Sequence, residues 1–342
     1  MSSAPDNTPL PTQAGIDVDE DDGPSDLDSA FGDTSSTTAS LTSSILKYQY
    51  ENGRRYHAYR AGSYLMPNDE QASEHLDICH RMMTLASDDK LHFAPIGKDP
   101  QRILDIGTGT GLWAIDMADL YPSAEVVGND LSPIQPSMVP PNVKFEIDDV
   151  EADWSYSAPF DFIHSRYMAM SIQDWPRLVG QMYSNVKPGG WVELYDCDLE
   201  YRSFDGSLTK EHAIYKNEEL VISGTLKHGR EPCPGPKLKS WMKNAGFVNI
   251  TEKIIPLPLG TWPKNPKLYH TSVLQKEVGA WNLLQFMEGV EGWSMAVLTR
   301  FHGWTPEEAQ IALAQVRADA KNRSIHLYFD MYLVYGQRPE ES

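Results

Sequence analysis

The sequence predicts an α/β fold in which helices cover both faces of a mostly parallel sheet. Three observations carry this. Short, largely apolar runs alternate with helical segments, a glycine-rich turn (DIGTGTG, Asp105 to Gly111) joins the first clear run to a helix, and the next run ends on Asp130.

The 342 residues exceed the usual size of one domain, but α/β folds often run this long as a single unit. From Met1 to about Ser44 the chain is Ser, Thr, Asp and Pro with almost no large apolar residues, so it cannot offset the entropy of ordering. Residues 1–44 are therefore expected to form a disordered acidic tail and 45–342 the folded domain. Apolar spacing at His75, Leu76, Cys79, Met82, Met83 and Leu85 fits an amphipathic helix ahead of the sheet. Strands are expected at Arg102 to Ile106, Glu125 to Gly128, Val143 to Ile147, Phe160 to Ser165 and Gly190 to Asp196. Helices fall between them at Leu112 to Tyr121, around Pro133, and at Gln173 to Val186. Pro236 to Ala245 reads as a helix stopped by Gly246, and Phe247 to Pro256 as a sixth strand. A helical insertion follows from about Lys267 to Arg323, in which Thr305-Pro306-Glu307-Glu308 supplies a helix start: an N-cap hydroxyl, proline at the first position, glutamate at the third. The last strand, Ile325 to Gly336, is expected to slot antiparallel beside the sixth.

The net charge is −19, with nine of the acidic residues and no Lys or Arg in the tail, and the remainder is still acidic. Such a surface repels phosphate backbones, so nucleic acid is not expected as a direct partner; a basic polypeptide partner would suit the charge, but solubility is its commoner reason. Cys79, Cys197 and Cys233 are widely spaced and form no C-x-x-C pair, so neither a disulfide framework nor a metal site is indicated. No signal peptide is visible and no apolar run approaches a membrane span. The expectation is a protein of the nucleus or cytoplasm, neither secreted nor membrane-bound.

A glycine turn between strand and helix is by itself ambiguous between dinucleotide enzymes and methyltransferases. Two details decide. The spacing is Gly107-x-Gly109-x-Gly111, with Thr108 inside the turn, whereas the dinucleotide fingerprint would place its last glycine at Leu112. Asp105 also puts a carboxylate where a pyrophosphate would dock, and two unit charges about 4 Å apart repel by roughly 4 kcal/mol at an effective dielectric of 20. S-adenosylmethionine carries an ammonium and a sulfonium, which Asp105 attracts. Asp130, with Leu131 beside it, is placed to accept both ribose hydroxyls of an adenosine. After the third strand, Asp149 is favoured over Asp148 to accept from the adenine amino group, with the Val150 N–H meeting the ring; a solvated acidic turn is the competing reading. Ligands bind at the carboxyl ends of such strands, so His164, Arg166 and Tyr167, at the end of the fourth, are the candidate catalytic residues. A structural role is the alternative for His164.

Taken together, DIGTGTG, the strand ending at Asp130, IDDVEADW, FDFIHSR and VKPGGWVELYD resemble the motifs of class I S-adenosylmethionine-dependent methyltransferases. The flanks, ENGRRYHAYRAGSYLMPNDEQASEHLDICH and GWTPEEAQIALAQVRADAKNRSIHLYFDMYLVYGQRP, resemble the fungal LaeA-like family of secondary-metabolism and development regulators, over about Tyr48 to Pro339. That resemblance implies a Rossmann-like sheet of seven strands with a helical cap. It also implies that Tyr56 and Tyr64 close over the cofactor, and that partners of the velvet type or a related regulatory complex are involved. The tail lies outside the shared pattern.

Methyl transfer requires no fixed residue type in the acceptor half, because the methyl carbon arrives activated and the protein mainly supplies proximity and desolvation. The segments 200–234 and 267–323 are expected to cap the acceptor pocket, with Tyr201, Trp262, Trp281 and Trp293 either lining a cleft or packing as core. The acceptor is left open between a protein and a small metabolite, and a cofactor-binding scaffold with little activity is the third reading.

Overall fold

The computed structural model describes residues 47–264 and 275–340. The acidic tail expected over 1–44 and residues 267–274 of the cap insertion lie outside the described residues.

A hairpin of β1 (Gln49–Glu51) and β2 (Arg54–Tyr56) leads to α1 (Glu70–Ala86). Asp69 caps α1 by accepting from the Ala72 amide, and its carboxylate also clamps the Arg54 guanidinium at 2.6 Å, which ties the hairpin to the helix start. The alternation then runs β3 (Arg102–Ile106), α2 (Leu112–Leu120), β4 (Glu125–Asp130), β5 (Val143–Ile147), β6 (Phe160–Arg166), α3 (Trp175–Asn185) and β7 (Val186–Cys197). Strand β8 (Arg202–Ser203) and helix α4 (Ala213–Lys227) open the cap, α5 (Leu238–Ala245) and β9 (Val248–Pro258) return to the sheet, and α6 (Gln275–His302) and α7 (Pro306–Lys321) precede β10 (Leu327–Gln337).

The sheet order is β5-β4-β3-β6-β7-β10-β9, parallel from β5 to β7, with β10 antiparallel to both of its long neighbours. These are the seven expected strands; two-residue β8 pairs with β10 beyond the end of β7. The stretch around Pro133 is not helical. Pro133, Pro136, Pro140 and Pro141 withdraw four amides from any helical ladder there.

Both faces are covered. Trp113, Ala114 and Met117 of α2 pack on Ile103, Val126 and Phe162. On the other face Trp175, Leu178, Val179 and Met182 of α3 join Leu238 and Met242 of α5 over Leu104, Ile163 and Val192. The cap has a core of its own: Ile214 of α4, Phe286, Val290 and Leu298 of α6, Leu313 and Val316 of α7. The capping box at Thr305 forms as its sequence dictates, with Thr305 Oγ1 accepting from Glu308 N at 3.2 Å and Glu308 Oε2 from Thr305 N at 2.9 Å. Gly246 ends α5 at φ 103°.

Candidate active site

At the carboxyl end of β3 the backbone folds back through Gly107, Gly109 and Gly111, with φ of 65°, 58° and 84°. Glycine tolerates this left-handed region without the steric cost of a Cβ. Space makes the same demand: a Cβ on Gly111 would lie 2.3 Å from the Phe145 ring, and one on Gly107 2.3 Å from Met168 Sδ. Asn129 secures the turn by accepting from Thr108 N through its carbonyl at 2.9 Å.

The register sets Asp105 beside Gly128 on one side and His164 on the other. Asp105 is buried and both of its oxygens are engaged: Oδ1 accepts from His164 Nδ1 at 2.8 Å, Oδ2 from the Thr108 hydroxyl at 2.7 Å. The His164 ring stacks on Trp113 with centroids 3.7 Å apart and planes 6° from parallel. Burial holds its pKa below the usual histidine range although the hydrogen bond to Asp105 pulls the other way, so the imidazole stays neutral. His164 is not among the described residues lining the two cavities below; its ring lies behind Asp105, to which it is hydrogen-bonded.

A cavity of about 460 Å³ opens over the turn, within the range that takes a nucleoside-sized ligand. Asp105, Gly107, Thr108 and Gly109 floor it, and Asp130, Leu131, Asp149 and Val150 wall it. Gly111 does not line it; it caps α2 against Phe145. Asp130 Oδ2 accepts from Gly109 N and Oδ1 from Ser132 N, each at 2.9 Å. Burial raises its pKa to about 6 against the lowering effect of those amides. Asp149 pairs with Arg60 Nε at 3.2 Å and accepts from Glu151 N, so its oxygens are more heavily engaged than the sequence suggested. Trp154 packs against the core and donates to Val150 O.

Arg166 and Tyr167 both reach this cavity. Arg166 Nη2 donates to His80 Nδ1 at 2.6 Å, and His80 Nε2 meets Asp116 at 3.0 Å. Tyr167 takes φ 59°, held there because Met168 N and Ala169 N donate to Asp196. The two upstream tyrosines separate. Tyr64 lines both cavities, whereas Tyr56 lies buried under the Arg300 guanidinium, 5.2 Å from its ring, and lines neither. Hairpin pairing with β1 turns Tyr56 toward α6, away from both cavities.

A second, mostly apolar cavity of about 110 Å³ adjoins the first, with Tyr64, Pro67, Leu76 and Tyr167 in both walls. Residues of the cap segments line it together with α1, through His75, Glu218, Val221, Gln285, Phe286 and Trp293. Tyr201 and Trp293 line it. Trp262 donates to Leu327 O and Trp281 packs on the cluster around Met331, so these two are core. Glu218 accepts from Tyr201 N at 2.7 Å, and burial raises its pKa to about 8, which keeps it protonated near neutrality. Sequence reasoning missed His75, Glu218 and Gln285 as site residues. The only signal was His75, four residues before Cys79 on one helical face, which reads equally well as core spacing.

Residues 71–252 match the family model described as a methyltransferase domain. The chain belongs to that family, and it is a LaeA-like methyltransferase. A methyltransferase named pytC from Aspergillus terreus is 44% identical over 315 residues, covering 92% of this chain and 95% of that one. The secondary metabolism regulator LAE1 of Cochliobolus heterostrophus is 37% identical, covering 85% of this chain and 95% of its own. The protein-methionine methyltransferase laeA of Emericella nidulans is 34% identical, covering 86% of this chain and 77% of its own.

Proposed function

We propose that this methyltransferase acts in secondary metabolism, holding S-adenosylmethionine in the larger cavity and presenting its methyl group to an acceptor in the smaller. The observation that carries the reading is the junction itself. A cavity bearing Asp105, Asp130 and Asp149 shares Tyr64 and Tyr167 with an apolar one under the cap. The residues fit the cofactor: three glycines keep side chains out of the turn, and the buried carboxylate of Asp105 complements positive groups. Asp130 would accept the ribose hydroxyls, Asp149 the adenine amino group, and the Val150 amide would meet the ring. Tyr64 would close the junction. When bound, the cofactor supplies a methyl carbon already activated by its sulfonium. The chain's own residues position the reactants and exclude water.

Two acceptor readings follow. The regulatory one, in which the protein works with velvet-type partners in the nucleus or cytoplasm, draws on the relatives named as secondary metabolism regulators. The metabolite one draws on the mostly apolar second cavity and on the relative pytC. S-adenosylhomocysteine is expected to raise the melting temperature and NAD to leave it unchanged, because ligand binding to the native state stabilises by mass action. Stabilisation by NAD alone overturns the cofactor assignment. In extract supplied with methyl-labelled cofactor, label on a protein band favours the regulatory reading and label in the organic phase the metabolite one.

A further inference from the structure

A chain of buried amides runs from the sheet into the acceptor cavity, and its logic fixes where one proton sits. Asn282 and Gln285 are fully buried on α6. Asn282 Nδ2 lies 2.9 Å from the Pro258 carbonyl, which can only accept, so this end of the amide is the NH₂. Its Oδ1 therefore accepts, and Gln285 Nε2 donates to it at 2.8 Å. That in turn turns Gln285 Oε1 toward three donors, Tyr167 OH at 3.3 Å, His75 Nε2 at 3.1 Å and the Cys79 thiol at 3.8 Å. A histidine whose Nε2 donates keeps a lone pair on Nδ1. Among the described residues Nδ1 of His75 has no hydrogen-bond partner, while the ring lines the acceptor cavity.

The ring is also held in place. A Cβ on Gly289 would lie 2.3 Å from His75 Nε2, so α6 approaches this edge of the imidazole as closely as glycine allows. Trp293 packs on it with ring centroids 5.7 Å apart, and the Cys79 thiol lies 3.4 Å from Nε2. The Nε2 edge is thus fully occupied. Burial, assisted by the charge of Arg54, keeps the ring's pKa below the usual range, so it is neutral near pH 7.

We infer that the Pro258–Asn282–Gln285 relay sets His75 in its Nε2–H tautomer, so that Nδ1 takes the proton from a weakly acidic hydroxyl carried on a small apolar acceptor. This rests on the methyltransferase reading of the adjoining cavity. As the O–H proton passes to Nδ1, the oxygen's electron pair forms the new bond to the methyl carbon, and the pair of the breaking C–S bond returns to sulfur. The products are a methyl ether and the neutral thioether, and the imidazolium then releases its proton to solvent. His75 is the catalytic residue here; Gln285 and Asn282 are positioning residues.

The test uses 4-nitrophenol as a hydroxyl probe and nitrobenzene as its counterpart without the hydroxyl, each titrated into protein saturated with S-adenosylhomocysteine. Wild type is expected to bind 4-nitrophenol, and His75→Leu to bind it about tenfold or more weakly, the value of one hydrogen bond in this range. Nitrobenzene affinity is expected to be the same in both. Asn282→Leu, which lies outside the cavity wall, frees Gln285 to flip and is expected to give an intermediate loss. ¹⁵N NMR of histidine-labelled protein reads the tautomer directly and does not depend on activity: His75 is expected as Nε2–H in wild type and as a mixture in Asn282→Leu. An Nδ1–H ring in wild type, no binding of 4-nitrophenol, or equal binding by His75→Leu overturns the inference. Failure of S-adenosylhomocysteine itself to shift the melting temperature of wild type overturns the cofactor reading instead.

Discussion

Asp130 offers a test in which two pH trends run in opposite directions. Its carboxyl titrates at about 6 because burial opposes ionisation. Only the ionised form presents two acceptors to a pair of ribose hydroxyls. If the protonated form does not bind, the apparent Kd scales as one plus the ratio of protonated to ionised carboxyl. That factor is about 1.1 at pH 7 and about 11 at pH 5 for a pKa near 6. Affinity for S-adenosylhomocysteine should therefore fall about tenfold over those two units, or about 1.4 kcal/mol. The cofactor-free protein responds the other way. A carboxyl whose pKa is raised on folding contributes stability that is present below the ordinary aspartate range and lost as pH rises through about 6. Titration calorimetry at pH 5, 6 and 7 reads the first trend, and Asp130→Ala supplies the control. That variant loses two charged acceptors, each worth about 1.5–3 kcal/mol before water replaces part of them, so binding at pH 7 should weaken roughly ten- to a hundredfold. Its affinity should also lose most of the pH slope. Equal affinity of wild type at pH 5 and 7, or an unchanged slope in the variant, would show that Asp130 does not hold the ribose.

Two further outcomes separate architecture from binding. Gly111→Ala forces a Cβ onto a left-handed residue and into the Phe145 ring, so a stability loss of about 1–3 kcal/mol is expected in urea unfolding; an unchanged midpoint refutes the turn's steric account. Tyr56→Phe should leave S-adenosylhomocysteine affinity intact, since the ring lines neither cavity, whereas Tyr64→Ala should weaken it; the reverse order in calorimetry would support the role first expected of Tyr56.

The parts of the site that the sequence displays are those where backbone conformation dictates residue type. Three alternating glycines announce a left-handed turn, and a carboxylate next to them announces the sign of the charge it meets. Strand and helix periodicity gave the β3–β7 alternation because each element buries one face or both. The placing of His164 was illegible for a different reason. That it abuts Asp105 follows from the β3–β6 register, and register is a property of pairing that neither strand carries alone. The second cavity was illegible because His75, Glu218 and Gln285 come from three helices far apart in sequence, each looking like ordinary core spacing. Tyr56 is aimed by the hairpin, whereas Tyr64 lies in the loop that follows it.

The position of β10 has a bearing on how the chain reaches this structure. Its partners β7 and β9 are made earlier, and the sheet cannot become continuous until residues 327–337 have been synthesised. Until then both partners display an open hydrogen-bonding edge, the kind of surface that recruits other chains. The nascent polypeptide also completes α6 and α7, and with them the roof over the acceptor, before the floor beneath it is joined. A ribosome paused ahead of Leu327 would thus hold a chain with a finished glycine turn and an unfinished enzyme, and chaperone demand should peak at that point in translation.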